Sequence, residues 1–161
     1  MAEGAVNLHD HRPGHVERDV DFDLGDTDNG LTEADLIMEE KYNCAEIAQV
    51  QSEPHAAIAE YDSTREFLTV HASTQVPYYG HKMLAKVLKM KESQIRMIKP
   101  FVGGGFGCRT ECLNIELICA LVARAAKGTV RIVASREETF ITHRGRPETD
   151  VEMKIGVKND G

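Results

Sequence analysis

Stretches in which apolar and polar residues alternate, or in which β-branched residues cluster, predict several strands. The alternation is most regular near the end of the chain, where Val151, Met153, Ile155 and Val157 are separated by polar residues or glycine. That pattern is typical of a half-buried strand. The predicted strands are Leu36–Val50, Ala56–Tyr61, Glu66–Ala72, Ile95–Val102, Thr129–Ser135 and Val151–Val157.

Apolar residues at helical spacing predict two longer helices between these strands. One begins at Pro77, since proline suits the first turn of a helix, and continues to about Met90 with Met83, Leu84, Val87 and Leu88 on one stripe. The second covers Glu111–Ala126 and ends at Lys127-Gly128. Shorter helical turns are predicted at Thr32–Asp35, with Thr32 as the cap, and at Arg136–Thr142. The chain is therefore expected to form a mixed α/β (α+β) fold, in which helices pack on a mixed sheet.

Composition narrows the class of protein. The 161 residues are 42% hydrophobic and 28% charged, as expected for a globular chain with its own core. The net charge of -7 argues against a nucleic-acid partner. No apolar run approaches membrane-spanning length, and the first residues lack the features of an export signal. Four cysteines without a C-x-x-C pair indicate reduced thiols and a cytoplasmic setting, with no metal site expected.

The run Gly103-Gly104-Gly105-Phe106-Gly107, called the glycine loop below, is the most informative local feature. It follows a predicted strand and precedes a predicted helix, so its free amides are expected at a helix N-terminus, where anions bind. The loop matches neither a P-loop nor a dinucleotide fingerprint. It predicts an anion or cofactor turn, and a glycine-rich connection without a ligand remains an alternative.

The cysteines after the glycine loop are expected to differ in burial and reactivity. Cys112 and Cys119 are predicted to share one buried face of the second helix. Cys108 directly follows the loop, where a helix N-terminus can lower the pKa of a thiol. A catalytic role for Cys108 is the weaker hypothesis, because no histidine stands near it in sequence.

Other polar groups have both functional and structural interpretations. Ser73-Thr74-Gln75 can contact a ligand at the end of a strand or simply cap the following helix. Glu53-Pro54-His55 can supply an acid/base pair, but an exposed turn is the favoured interpretation. The basic group His143, Arg144 and Arg146 can clamp an anion or remain solvated. The three histidines His9, His11 and His15 match no metal-ligand spacing, and a solvated segment is favoured.

The order of these motifs resembles the molybdenum hydroxylase family, which includes xanthine dehydrogenase, aldehyde oxidase and carbon monoxide dehydrogenase. Thr74-Gln75, the glycine loop, Ser135-Arg136-Glu137-Glu138 and Arg146-Pro147 carry the resemblance. Within the family, the runs 74–79, 109–111 and 142–147 are most similar to the large subunit of 4-hydroxybenzoyl-CoA reductase. Purine-oxidising members have Gly-Lys-Glu after Gly-Phe-Gly, whereas this chain has Cys108-Arg109-Thr110. The resemblance therefore disfavours a purine and favours another aromatic substrate.

The resemblance implies a molybdenum-pterin cofactor held by Gln75, Gly104, Gly105, Phe106 and Gly107. It implies that Phe106, Arg109 and Arg146 lie at the substrate. The family's catalytic glutamate is expected beyond this chain, and iron–sulfur and flavin groups are expected on other subunits or domains. For the reductase branch, the implied reaction is reductive removal of a ring hydroxyl from an aromatic CoA thioester. Hydroxylation of an aldehyde or N-heterocycle and a non-catalytic anion-binding domain remain alternatives.

The chain is expected to be part of a longer polypeptide. Asp160-Gly161 follows the last alternating strand as a hairpin turn would, but the return strand is missing. Residues 1–30 are predicted to form a loosely ordered segment, and residues 31–161 part of the cofactor-binding domain, truncated at both ends. The expected partners are the rest of the large subunit and the iron–sulfur and flavin subunits, and a homodimer is a further expected assembly. The piece alone is expected to be inactive.

Overall fold

The computed structural model describes residues 6, 9–12, 14, 16–142 and 144–160, so the predictions for His15 and His143 fall outside it. The chain divides into two compact units, Met1–Tyr42 with Val151–Gly161 and Asn43–Asp150. Within the described residues, no helix has the length and apolar character needed to cross a membrane. The same part of the chain contains no group of three or more acidic, histidine or cysteine side chains able to hold a metal ion.

The first unit combines one short helix with a two-stranded sheet. Helix α1 covers Thr27–Thr32, and the carboxylate of Asp26 caps it by accepting a hydrogen bond from the Asn29 amide at 2.9 Å. The predicted turn at Thr32–Asp35 is therefore wrong: the helix lies earlier, because Asp26 is the better cap and Asp28 adds favourable charge to its first turn.

Strands β1 and β6 pair in this sheet and are mostly exposed. Strand β1 covers Leu36–Cys44, six residues shorter than predicted, and β6 covers Thr149–Val157. The predicted strand at the end of the chain is confirmed. Its apolar residues were expected to form a buried face, but Met153 and Ile155 are 44% and 47% exposed.

The second unit is built on a four-stranded mixed sheet with the strand order β4-β3-β2-β5. Strand β2 pairs antiparallel with both β3 and β5, whereas β3 and β4 run parallel. The strands are β2 (Ala56–Asp62), β3 (Phe67–Ala72), β4 (Ile95–Ile98) and β5 (Thr129–Val133). Strand β4 ends before Pro100, whose missing amide cannot continue a ladder, and so it is shorter than predicted.

Three helices complete this unit. They are α2 (Pro77–Leu88), α3 (Asn114–Ala126) and α4 (Arg136–Ile141), and a short 3-10 helix covers Glu92–Gln94. Helices α2 and α3 each end on a lysine in the left-handed conformation, Lys89 and Lys127. The predicted end of the second long helix at Lys127-Gly128 is confirmed.

The core lies between the sheet and helices α2 and α3. Small residues of β2 allow α3 to approach closely, and larger side chains from β3 and α2 fill the remaining space. The fully buried members of this core are Ala57, Ala59, Leu68, Val70, Leu84, Cys119, Ala120 and Ala123. The predicted α2 stripe is half correct, since Leu84 and Leu88 are buried but Met83 and Val87 are 42% and 44% exposed. The mixed sheet with helices packed on it confirms the predicted fold class.

Candidate functional site

The glycine loop lies between β4 and α3 but not at a helix N-terminus. Helix α3 begins only at Asn114, and its N-cap is Leu113, so the expected contribution of a helix dipole to the loop is wrong. Glu116 reaches back to accept a hydrogen bond from the Leu113 amide at 3.1 Å. The intervening residues instead form a turn that is fixed by contacts with β3 and with the segment before β2.

Gln75 fixes the end of the glycine loop. Its Oε1 atom accepts hydrogen bonds from the amides of Gly107 at 2.9 Å and Arg109 at 3.4 Å. Two backbone donors at Oε1 determine which way the side-chain amide points. The Nε2 group donates to no other described residue, and Gln75 is exposed. It therefore remains available as a hydrogen-bond donor.

Residues 73–75 lie between β3 and helix α2. Its N-cap is Val76, which has no side-chain capping bond. The Thr74 hydroxyl instead donates to the Arg109 carbonyl at 3.1 Å, and the Gln75 amide donates to the same oxygen at 2.8 Å. Thr74 Oγ1 also accepts from the amide of Val76, the N-cap of α2, at 3.2 Å. Residues 73–75 therefore lie against the start of α2 and also attach the end of β3 to the chain after the loop.

Three of the loop glycines are required by neighbouring side chains. A Cβ atom at Gly103 would lie 2.6 Å from the Glu53 Cβ, and one at Gly105 would lie 2.5 Å from Gln75 Oε1. At Gly104, where φ is +102°, a Cβ would lie 2.8 Å from the Phe106 ring. A Cβ at Gly107 would meet nothing within 4 Å, but φ there is +98°. Only Gly107 has open space on its side-chain side.

Phe106 adopts an unfavourable backbone conformation within the loop. Its φ of 51° lies in the left-handed region, which costs a residue with a Cβ about 1–2 kcal/mol. The residue is 63% exposed, so burial of its ring does not compensate for that strain. Such strained residues concentrate at functional sites.

The loop also offers unused backbone donors. The amides of Gly104, Gly105 and Phe106 donate no hydrogen bond to any described residue. Together with Gln75 Nε2 they form a set of neutral N–H donors, the chemistry that suits oxo and other anionic groups.

Arg109 is buried beside the glycine loop. The residue is 1% exposed, and its guanidinium donates to Glu53 Oε2 at 3.0 Å, to the Ser73 carbonyl at 3.2 Å and to the Glu53 carbonyl. A side chain in these contacts faces the protein interior, so this geometry gives no support to the predicted contact with substrate. Sequence reasoning missed the pairing because Glu53 is 56 positions away along the chain.

Glu53-Pro54-His55 is not an exposed turn. His55 is 2% exposed, and the carboxylate of Glu53 is bound to Arg109. The favoured interpretation of this segment is therefore wrong. The acid/base alternative also lacks support, since Glu53 already holds Ser73 and the Gly103 amide.

Arg146 is exposed, and its backbone forms an isolated antiparallel bridge with Ile47. A cleft of about 180 Å³ beside Gly107 is lined by Thr142 and Arg144, just before Arg146. The Arg144 side chain is 79% exposed and forms a surface ion pair with Glu111 at 3.1 Å, which agrees with the solvated alternative for this residue. A larger, mainly apolar cleft of about 600 Å³ lies between the start of α3, β5 and α4, away from the donor set.

The cysteines near the loop are poor nucleophiles. Burial raises the pKa of the Cys108 thiol above its usual value, and this outweighs the opposite influence of Arg109. The expected lowering of this pKa by a helix N-terminus is therefore wrong. Burial also raises the pKa values of Cys112 and Cys119. Cys119 is in the core as predicted, but Cys112 precedes α3 and is only partly buried.

Comparison with known proteins identifies the family. A family model described as "Molybdopterin cofactor-binding domain" matches residues 8–161. "Probable hypoxanthine oxidase XdhD" of Escherichia coli (strain K12) is 37% identical over 138 residues, which cover 86% of this chain and 14% of that protein. "Nicotinate dehydrogenase large molybdopterin subunit" of Eubacterium barkeri is 32% identical over 158 residues, or 98% of this chain and 35% of that protein.

A solved structure shares the fold. Quinoline 2-oxidoreductase from Pseudomonas putida 86 superposes with a TM-score of 0.73 and 25% identity over 84% of this chain and 17% of that one. The chain thus spans from 14% to 35% of the length of these relatives. The resemblance to molybdenum hydroxylases is confirmed, and the chain belongs to the molybdopterin cofactor-binding domain family.

Proposed function

We propose that this chain contributes part of the cofactor site of a molybdenum-dependent oxidoreductase. The observation that supports this most directly is the orientation of Gln75. Since Oε1 accepts from the Gly107 amide, Nε2 is left to donate to a bound group. The free amides of Gly104, Gly105 and Phe106 extend the same donor set.

This donor set fits a molybdenum-pterin group. Oxo ligands and phosphate oxygens are acceptors, and the amides of Gly104, Gly105 and Phe106 are neutral donors that bind no carboxylate among the described residues. When bound, the cofactor supplies two-electron redox chemistry at the metal. The chain's own residues bind and orient it: Gln75 and the glycine loop donate hydrogen bonds, and the open side of Gly107 allows close approach.

The substrate would be a planar aromatic compound next to Phe106. The exposed ring of Phe106 can stack on it, which contributes about 1 kcal/mol. Thr110 offers no carboxylate, and its hydroxyl already donates to the Gly107 carbonyl at 2.9 Å. Arg146, whose side chain is exposed, is the better candidate to hold a polar group of the substrate than the buried Arg109.

Two reactions compete for this substrate class. The runs that resemble 4-hydroxybenzoyl-CoA reductase favour reductive removal of a ring hydroxyl from an aromatic CoA thioester. The names of the relatives instead suggest hydroxylation of compounds such as hypoxanthine or nicotinate. In either case iron–sulfur and flavin partners would carry the electrons, the rest of the large subunit would complete the site, and the enzyme would act in the cytoplasm.

The binding role is tested by replacing Gln75 in the natural polypeptide that carries this sequence. Gln75→Glu keeps the acceptor for the Gly107 amide and removes the N–H donor. We expect molybdenum and pterin content to fall several-fold while the loop stays in place. Gln94→Glu is the control. Gln94 also accepts from a backbone amide, that of Lys91 at 3.2 Å, and its Nε2 donates to the Glu66 carbonyl at 3.3 Å, so the variant loses an amide donor away from the loop and should keep its molybdenum and pterin.

The result separates the proposed function from its alternatives. Unchanged cofactor content in Gln75→Glu contradicts the assigned role of Nε2. A natural protein without molybdenum and pterin contradicts the proposal and favours an anion-binding domain without redox activity. For the substrate, turnover of 4-hydroxybenzoyl-CoA with a low-potential electron donor is compared with turnover of hypoxanthine, nicotinate and an aldehyde with an electron acceptor.

A further inference from the structure

One carboxylate oxygen of Glu53 joins three separate parts of the chain. Its Oε2 atom accepts hydrogen bonds from the Gly103 amide at 2.7 Å, the Ser73 hydroxyl at 2.8 Å and Arg109 Nη1 at 3.0 Å. Gly103 starts the glycine loop, Ser73 directly follows β3, and Arg109 stands just after the loop. The carboxylate therefore holds both ends of the loop to the segment after β3, which carries Ser73 and Gln75.

Arg109 extends this arrangement through its main chain. Its carbonyl accepts from the Gln75 amide and the Thr74 hydroxyl, and its own amide donates to Gln75 Oε1. The side chain of Arg109 thus hydrogen-bonds to Glu53, and its main chain hydrogen-bonds to Gln75. Displacement of the guanidinium would thus be transmitted to the Gln75 side chain over a few bonds.

The segment that presents Glu53 is itself fixed by two arginines. Residues 51–54 belong to no helix or strand, so their carbonyl groups need other partners. Arg136 donates to the Gln51 carbonyl at 2.7 Å and to the Ser52 carbonyl. Arg109 donates to the carbonyls of Glu53 and Pro54. Four consecutive carbonyls are therefore satisfied by two guanidinium groups, a rigid way to support a loop.

We infer that Glu53 is a positioning residue for the cofactor site, acting through Gly103 and Arg109 on the glycine loop and Gln75. The inference rests on the proposed function, because the site it positions is the donor set described above. It also explains why Arg109 is arginine. A lysine would keep the charge but could not bind the Glu53 carboxylate and the 53–54 carbonyls together.

The exchange of backbone amide hydrogens tests this inference without relying on activity. In the natural polypeptide, Glu53→Gln keeps the length of the side chain but removes its negative charge, so its bond to Arg109 is no longer a bond between two charged groups. Hydrogen bonds to charged groups are the stronger class, so exchange of the hydrogen-bonded loop amides, those of Gly103, Gly107, Cys108 and Arg109, should accelerate about tenfold or more. Exchange in β2 and β3 should stay at the wild-type rate. Glu111→Gln is the matched control, since Glu111 also pairs with an arginine at 3.1 Å but in an exposed position.

Molybdenum content is the second measurement. It should fall in Glu53→Gln and Arg109→Lys and stay unchanged in Glu111→Gln. Equal acceleration of exchange in the loop and in both strands would show only a general loss of stability and would overturn the inference, as would unchanged exchange in the loop. If the wild-type protein carries no molybdenum while the loop still exchanges faster, the proposed function fails but the positioning of the loop by Glu53 stands.

Discussion

Replacement of Gly105 by alanine should detach Gln75 from the glycine loop. The added Cβ would lie 2.5 Å from Oε1 and 2.6 Å from both Cδ and Cγ of Gln75. Gly105, unlike Gly104 and Gly107, does not have a positive φ, so alanine there introduces no left-handed strain. The substitution therefore isolates the effect of crowding against one side chain.

The cost follows from the hydrogen bonds that Gln75 must give up when it moves. Its Oε1 accepts from the Gly107 and Arg109 amides at 2.9 and 3.4 Å. At about 0.5–1.5 kcal/mol for a typical bond, and less for the longer one, the loss is about 1–2 kcal/mol. That corresponds to roughly 5–30-fold faster exchange of the loop amides, and the core, which lies elsewhere, should be unaffected.

A double-mutant cycle with Gln75→Ala provides the measurement. In that background the atoms that crowd position 105 are absent, so Gly105→Ala should have almost no further effect on exchange in 103–109. Gly107→Ala is the contrast, because its strain arises from φ of +98° in open space and should persist without Gln75. An equal effect of Gly105→Ala with and without Gln75 would refute the steric reasoning.

Three further outcomes are expected. Leu84→Ala should lower the free energy of unfolding by about 2–5 kcal/mol, because Leu84 is fully buried. Met83→Ala should lower it much less, because Met83 is 42% exposed, and urea titration of both variants measures the difference. Burial raises the pKa of Glu116 above its usual value, so the contribution of this residue to stability should be full below pH 4.5 and be lost as pH rises through the raised value. Glu116→Gln should remove this contribution, which is seen as the difference between the wild-type and variant free energies of unfolding across pH. Iodoacetamide at pH 8 should label the exposed Cys44 and leave the buried Cys108 unmodified. Peptide mass mapping identifies the labelled cysteines, and rapid labelling of Cys108 would contradict its burial.

The sequence was sufficient for elements whose signals are local. Pro77 marked the first residue of α2, and the apolar alternation located β2 and β3 to within about one residue. The predicted boundaries of β4 and α3 were wrong because a local sequence signal was overlooked. Pro100 already indicated that β4 would stop early, and Glu116 three residues after Leu113 indicated the later start of α3.

The contacts of the site could not be predicted in the same way, because they join distant positions. Glu53 and Arg109 meet across 56 positions and Gln75 and Gly107 across 32, and neither periodicity nor composition records such pairs. Motif resemblance identified Gln75 and the glycine loop as a unit, but it gave Arg109 a substrate role that its burial does not support.

The structure changes the physical reason for the glycine-rich sequence. Glycines have no side chain, so a run of them can let a large group approach the backbone closely. At Gly103 and Gly105, however, the space is already filled by Glu53 and Gln75, so those glycines serve to bring the two side chains against the loop. Among the loop glycines, only Gly107 has the open space that such an approach needs. We therefore expect the proposed cofactor to bind at the Gly107 end of the loop, where Gln75 presents its remaining N–H group, and we expect the other glycines to keep that group in position.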